Sequence, residues 1–460
     1  MYTNYLTKTD FILGRSCPTK LYYLKKQYPT NLAENPYFEY LKEGGHIIGK
    51  IAQLLYPDGV YIGTEHGLES GIRRTEAEIQ KESCTLFEAV FEHNGYLVVA
   101  DIVRKIGKTI ELIEVKSTLY DSSNENEILG KKGGINSKWR EYIEDIAYQT
   151  FVARLSFPYF NVSPYLLLPD KSKRTDVDKL ASYFTVKEKN GSLSVEFLGE
   201  RDLRLKDAIV RSHFLTKVDV GAYCEMIMDL IRKEAKSLLS TIRPRLSKAA
   251  PHLTKECKKC EFRTEGKKSG FSECWGELAE ISPHIFDLYH GGSLKEKGRF
   301  VLDDLISQGR VSLYDIPERH IKGKRGERQR IQIENTKSGT EWIDPELRES
   351  LSALEYPLYF IDFETSASAV PYHKGMHPYE TSAFQYSCHE IQYPGSDPRH
   401  SEWINVEEEF PSFEFAASLR ETVGDRGSML MWAPHERTTL KQISEQMERY
   451  GGDPLLKDWI

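Results

Sequence analysis

The stretch YLVVADIVRKIGKTIELIEVKS, residues 96–117, constrains this chain more than any other part of it. Two apolar runs flank a glycine-containing turn, the pattern of a β-hairpin. With the turn centred at about Ile106–Gly107, Asp101 is expected opposite Leu112, with Glu114 one diagonal step away on the same face. Side chains alternate along a strand, so Glu114 and Lys116 also share a face. Diagonal partners lie roughly 7–8 Å apart at the backbone, close enough for two carboxylates to converge on one ion. An acid followed by acid-x-lysine on the next strand suits metal-assisted phosphodiester cleavage. The carboxylates hold a hard divalent cation that lowers the pKa of a bound water, and the lysine orients that water. The same letters also occur on amphipathic hairpins with a solvated charged face. An aspartate inside VVADIV favours the chemical reading, because a carboxylate in an apolar strand needs a partner.

Around the hairpin, residues 1–280 read as mixed α/β. Helices are expected at residues 20–28 and near 45–55, with strands near 86–91, 96–103 and 109–116. A Gly/Ser/Lys-rich loop at 133–138 precedes a helix in which Ile143, Ile146, Ala147, Thr150 and Phe151 recur at helical spacing. Tyr142, Asp145 and Gln149 form a neighbouring stripe, so Gln149 is placed to face the strand site. His46 stands at a helix start, and Glu88 is a second buried-looking acid in the strand LFEAVF. A strand at 162–168 and helices at 201–215 and 222–239 complete the region. Residues 281–345 read as a helical and basic connector, with two or three short helices in 281–316. A second α/β pattern occupies 346–460, opening on the buried run YPLYFID.

Seven cysteines are present, an odd number that argues against a disulfide framework in a chain of 460 residues. Cys257-x2-Cys260 is followed by Cys274 after thirteen residues, giving three ligands of a metal or cluster, and Cys17 can supply a fourth. By ligand count alone, zinc and a [4Fe–4S] cluster both stand. Such a set would staple the two ends of the domain, closing a loop of roughly 240 residues. The net charge of −7 does not announce a nucleic-acid binder. Basic clusters at residues 131–140, 255–268 and 319–330, the last RHIKGKRGERQR, provide local exceptions. No run of about 18 apolar residues exists, and the N-terminus lacks the apolar core of a signal peptide, so the chain is expected in the cytoplasm with no membrane partner.

The order of these elements resembles the iron–sulfur nucleases of the RecB-like PD-(D/E)XK superfamily, including the CRISPR-associated exonucleases and the AddB nuclease domain. Their hallmark is one cysteine near the N-terminus and three near the domain's end, matched by Cys17, Cys257, Cys260 and Cys274. The family's metal-binding histidine matches His46, its motif-two aspartate Asp101, and its E-x-K motif Glu114 and Lys116. Its Q-x-x-x-Y motif is matched at Gln149, with Ala153 in place of the tyrosine. The resemblance covers roughly residues 5–280. It implies a restriction-endonuclease-like mixed sheet flanked by helices and a [4Fe–4S] cluster in preference to zinc. It also implies magnesium- or manganese-dependent hydrolysis of DNA, chiefly single-stranded ends, in repair, recombination or phage defence. A helicase or defence-complex partner belongs to the same implication. A zinc or iron–sulfur binding module without cleavage, or a subunit active only in a larger complex, is the rival reading.

The second α/β pattern carries Asp362 and Glu364 in YFIDFET, two apart on one face of an expected buried strand. They resemble the first motif of DEDD-type 3′–5′ exonucleases, which implies a ribonuclease-H-like domain. Strands at 382–391 and 429–432 continue the pattern, and His435 and Glu436 stand where related families carry their second motif, without the expected aspartate. About 100 residues follow Tyr356, short for such a domain, so this site is expected to be incomplete and inactive.

Overall fold

The computed structural model describes residues 4–32, 36–189, 192–266 and 268–460, so Lys267 of the second basic cluster lies outside the described residues. The architecture is mixed α/β. From the N-terminus run β1 (Leu6–Thr7), α1 (Lys8–Ser16), α2 (Pro18–Lys25), α3 (Pro36–Leu54), β2 (Val60–Tyr61) and α4 (Leu68–Ile79). Then come β3 (Ser83–His93), β4 (Tyr96–Ile106), β5 (Thr109–Val115), α5 (Ser137–Ser156) and β6 (Asn161–Pro169). The hairpin β7 (Phe184–Lys189) and β8 (Ser192–Phe197), α6 (Leu203–Arg211), β9 (Leu215–Asp219) and α7 (Gly221–Ile242) follow. One sheet runs β2-β3-β4-β5-β6-β9, with β1 added beside β4. Its core joins Leu97, Val103, Leu112 and Leu166 to Ile143, Ala147 and Val152 of α5 and to Ile231 and Leu238 of α7.

The helix expected at 201–215 stops at Arg211, and residues 215–219 form β9, antiparallel to β6. Thr216 and Val218 are β-branched, and the ladder to β6 satisfies backbone groups that a longer helix would have carried internally. The hairpin turn also sits one residue later than expected. Ile106 pairs with Thr109, so Gly107 and Lys108 form a two-residue turn, and Gly107 takes φ +56°, which a side chain would resist. That shift moves the strand register by two.

The beginning of the chain is pinned by a buried ion pair. Thr7 and Asp10 form a capping box at the start of α1, and Lys25 Nζ of α2 reaches Asp10 Oδ2 at 2.7 Å with both side chains at most 5% exposed. Removing one member leaves the other charge buried and unpaired. Lys25→Met is therefore expected to destabilise the chain by about 3 kcal/mol in urea unfolding, and Lys25→Met with Asp10→Leu to recover most of the loss. Equal stability of Lys25→Met and wild type would show that the pair anchors nothing.

The cysteine-bearing segment holds α8 (Gly270–Trp275) and packs into the connector rather than ending at it. One apolar cluster joins Phe271 and Trp275 to Ile285, Leu302 and Val311, with Cys257, Cys260 and Cys274 against its side. Where short helices were expected at 281–316, tight 3₁₀ turns surround a hairpin of β10 (Lys295–Glu296) and β11 (Arg299–Phe300), followed by α9 (Val301–Ile306). Lys297 and Gly298 both have positive φ, as a two-residue hairpin turn demands. The basic stretch then becomes α10 (Gly326–Ser338), and a short α11 (Leu347–Ser352) leads on.

The second sheet has the order β14-β13-β12-β15, from β12 (Leu358–Ser366), β13 (Ser382–Ile391), β14 (Arg399–Ile404) and β15 (Ser428–Leu430). The sequence reading omitted β14, whose side chains are nearly all exposed and so lack an apolar alternation. The helices are α12 (Ser412–Val423), α13 (His435–Tyr450) and α14 (Pro454–Trp459). They cover one face, burying Tyr359, Ile361 and Phe363 against Phe415, Leu419 and Ile443. Residues 367–381, between β12 and β13, reach back to the first unit. Gly375 N–H donates to the Thr175 carbonyl at 2.7 Å, Tyr379 Oη donates to the Ser117 carbonyl, and Val370 packs with Leu180 and Phe184. Among the described residues no helix is long and apolar enough to cross a membrane.

Candidate active site

The site lies where β5 parts from β4. The β4–β5 ladder runs from Ile106↔Thr109 to Ile102↔Ile113 and stops, while β1 takes the same edge of β4 at Tyr96 and Leu97. In the gap, Asp101 Oδ2 accepts the Val115 N–H at 2.8 Å, so a side chain stands in for the missing strand contact. Beyond the fork β5 remains in register with β6 through Val115↔Leu167. The register carries Asp101 directly opposite Glu114, not Leu112 as the expected turn implied.

Four of the predicted residues meet here. Glu114, 1% exposed, has Lys116 Nζ at 2.8 Å on Oε1 and Gln149 Nε2 at 2.8 Å on Oε2. Lys116 Nζ also donates to Asp145 Oδ2 at 2.6 Å, and Gln149 Nε2 to Asp145 Oδ1 at 3.0 Å. Gln149 Oε1 is buried without a hydrogen-bond partner. Sequence reasoning missed Lys8, the first residue of α1. Its Nζ lies 2.8 Å from Glu114 Oε1 and 3.7 Å from Asp101 Oδ1. Only its basic character could have signalled a role, since 106 positions separate it from Glu114.

Burial would raise the Glu114 carboxyl, but Lys8 and Lys116 together hold it well below the usual carboxylate range. Asp101 is pushed up to about 6 by burial and by the charge of Glu114, against the pull of the two lysines. Burial opposes the charge of Lys116, yet Glu114 and Asp145 keep its pKa raised. Glu88 faces the same sheet break. It adopts φ +53°, interrupting the β3–β4 ladder between Phe87↔Ile102 and Ala89↔Ala100. Burial and the nearby Asp101 push its carboxyl up to about 7. A strained backbone and two carboxyls with raised pKa values gather at one point, as functional sites do.

A cavity of about 750 Å³ opens onto Lys8, His46, Glu88, Asp101 and Lys116, so His46 borders the acids from α3. Burial and Lys42 lower its pKa, which favours the neutral imidazole that ligates metals. Lys8 supplies the test of fit for a cation: its ammonium already occupies a position shared by both carboxylates. Among the described residues no three or more His, Cys, Asp or Glu side chains are gathered tightly enough to hold a single ion as they stand. A second cavity of about 830 Å³ leads from Lys8 and Lys116 past Arg15, Arg140, Lys20 and Lys259.

The four cysteines also come together. Cys17, between α1 and α2, shares the walls of a cavity of about 410 Å³ with Cys257, Cys260 and Cys274. Tyr23 Oη lies 3.2 Å from Cys274 Sγ. All seven cysteines of the chain are free thiols. Burial pushes Cys260 up to about 11 and raises Cys274, so these thiols ionise only if a positive centre replaces the proton. Four thiolates on one zinc ion would stand about 4 Å apart, twice a Zn–S bond of ~2.3 Å less the tetrahedral angle. The four thiols line one cavity, and among the described residues no three of them are gathered closely enough to hold a single ion as they stand.

Asp362 and Glu364 lie elsewhere, on β12. Contrary to the expectation of a buried strand, its outer face is open, and Phe360, Asp362 and Glu364 are exposed along it. Among the described residues no helix covers that face, so both carboxylates stand in water, where their pull on a cation is weakened. His435 Nε2 is 3.5 Å from Thr365 Oγ1, and Glu436 is buried with Oε2 unpartnered.

Residues 359–456 match a family described as "Domain of unknown function (DUF2779)". The match takes in β12 and the strands and helices that follow it, and it leaves the site of Asp101, Glu114 and Lys116 outside. No curated protein matches the chain.

Proposed function

We propose that the chain is a metal-dependent nuclease of the RecB-like PD-(D/E)XK type that hydrolyses single-stranded DNA. The observation that carries the reading is the placement of Asp101 and Glu114 around one ammonium, with Lys116 beside them on Glu114. A magnesium or manganese ion, held by Asp101 and Glu114 with His46 and Glu88 at the cavity wall, would supply Lewis acidity to water and phosphate. With that charge supplied by a metal, Lys8 would be free to leave Asp101 and Glu114 for the phosphate. Lys116 stays tied to Glu114 and orients the nucleophile. Gln149 keeps the Glu114 carboxylate in place, and its unpartnered Oε1 can accept a hydrogen bond from water. The groove from Lys116 past Arg15, Arg140 and Lys20 is of mixed charge: Arg15 and Arg140 pair with Glu144 and Lys20 with Glu261, so a strand's phosphates would compete with those carboxylates for the cations.

Under this reading the first sheet is restriction-endonuclease-like and Cys17, Cys257, Cys260 and Cys274 hold a [4Fe–4S] cluster. The cluster would tie the cysteine segment to α1 and α2. The second sheet is a ribonuclease-H-like segment whose Asp362 and Glu364 do not cleave. Free thiols accord with a cytoplasmic protein. The test is hydrolysis of end-labelled single-stranded DNA by protein purified without oxygen, with manganese or with EDTA, beside Asp101→Asn. Cleavage that needs manganese and is absent in Asp101→Asn supports the assignment. Equal cleavage by both proteins would move the chemistry away from this site.

A further inference from the structure

The three basic clusters of the sequence have different fates. In the first, Lys138 pairs with Glu127 and Arg140 with Glu144, while Lys131 and Lys132 are exposed without an ion pair among the described residues. In the second, Lys255 pairs with Glu256, Lys258 donates to the Phe286 carbonyl, and Lys268 sits over the Tyr28 ring. In the third, Arg330 pairs with Glu318 and Arg328 lies over Tyr289, but Arg319, Lys322, Lys324 and Arg325 have no ion pair among the described residues. These four surround a cavity of about 620 Å³, which Lys295 of β10 also enters. The one carboxylate on its wall, Glu296, is 3.7 Å from His320 Nε2. Lys295 also lies over the Phe300 ring, and all five cations are exposed, so water screens their repulsion and an anion entering the cavity would relieve what remains.

Two further observations point to what that anion is. The thirteen-residue α10 starts at the cavity, with Arg325 as its N-cap and no side chain closing its first turn. The Gly326 N–H is already bonded to the Gly323 carbonyl of the preceding 3₁₀ turn, so what the helix start offers a phosphate is chiefly the positive end of its dipole. Gln329, one turn on, lines the same cavity and is 1% exposed. Its Nε2 donates to the Tyr289 carbonyl at 2.7 Å, and that bond fixes Oε1 as an acceptor with no donor. Buried acceptors are seldom left unmet. An inorganic anion satisfies the cations alone. A nucleotide satisfies both, since its sugar or base carries N–H or O–H donors beside the phosphate.

We propose that this cavity is a nucleotide-binding site of a single-stranded nucleic acid. Lys322, Lys324, Arg325 and the start of α10 take a phosphate, and Gln329 takes a donor of the attached nucleoside. The choice of a strand over a free nucleotide rests on the proposed nuclease function. The site then holds the strand away from the hydrolytic centre.

The test is binding of a fluorescent single-stranded oligonucleotide to the full chain in EDTA, followed by anisotropy over a range of salt. Lys322, Lys324 and Arg325 are exposed, so their replacement by alanine together leaves the fold intact. The triple variant is expected to bind at least 10-fold more weakly, with a salt slope shallower by about 2, near 0.7 for each lost contact. Gln329→Leu is expected to weaken binding several-fold and leave the slope unchanged. Unlabelled mononucleotide is expected to displace the strand only weakly. Unchanged affinity and slope in the triple variant would overturn the proposal, and so would displacement by inorganic phosphate as effective as by nucleotide. Displacement by mononucleotide as effective as by a strand would make this a free-nucleotide site and overturn the strand assignment. Failure of the nuclease reading is seen separately, as metal-dependent cleavage that persists in Asp101→Asn.

Discussion

Lys116→Ala is expected to slow manganese-dependent hydrolysis of single-stranded DNA by about 10³-fold while strand binding changes only a few-fold. The geometry predicts why the loss falls on the chemical step. Lys116 Nζ is held by Glu114 at 2.8 Å and Asp145 at 2.6 Å, so its ammonium is fixed before any substrate arrives. Removing it leaves Glu114 with Lys8 and Gln149, but Asp145 loses its ion-pair partner and keeps only Gln149. The variant should therefore lose some stability in urea, about 1–3 kcal/mol, and rates are compared where both proteins are folded, which separates lost chemistry from lost structure. Lys116→Arg should recover little, because a planar guanidinium cannot copy a compact ammonium shared between two carboxylates. Single-turnover rates with saturating protein provide the measurement. A rate for Lys116→Ala above a tenth of wild type would sink the assignment.

The largest effect on stability is expected at the cysteines. Anaerobically purified protein should carry iron and sulfide in equal amounts and a brown colour that Cys274→Ser abolishes. A colourless protein containing zinc would defeat the cluster assignment while keeping the four ligands. Cys17 and Cys257 line one cavity, so a centre held there would close most of the first unit into a loop. Loop-closure entropy for about 240 residues is worth roughly 5 kcal/mol. Loss of the centre by chelation or by Cys274→Ser is thus expected to lower the melting temperature by roughly 10–20 °C. The damage should spread into the connector, because Cys257, Cys260 and Cys274 lean on the cluster of Phe271, Trp275 and Ile285. Proteolysis should then cut first within residues 253–333. A melting temperature unchanged by chelation would show that the thiols hold no structural centre.

Several parts of the site were legible because they are local. The alternation in YLVVADIV and TIELIEVKS places Glu114 and Lys116 on one face, and the structure joins them through a 2.8 Å ion pair. The spacing of Ile143, Ile146, Ala147 and Thr150 turns Gln149 inward, and Gln149 meets Glu114. The cysteine spacing marks a shared site, and the four thiols line one cavity. Other parts were misread where two local patterns compete. Ile106-Gly107-Lys108 can turn at either pair, and the positive φ of Gly107 in first place decided for Gly107–Lys108. Residues 215–219 follow a helix without a proline or glycine stop, and the free edge of β6 drew them into a strand.

Sequence alone determined which acids, lysine and cysteines the chain could bring to a site, because strand and helix periods assign side chains to faces. It could not determine what meets those faces. Lys8 reaches Glu114 only because the Thr7–Asp10 cap and the Lys25 ion pair place α1 at the fork between β4 and β5. The strained Glu88, the open face of Asp362 and Glu364, and the five cations around Gln329 were likewise tertiary outcomes. Each depends on elements far apart in the chain, and the energy of such a contact exists only after both elements have packed. Local propensity is encoded residue by residue, whereas the partner of a charge is settled by the fold that surrounds it.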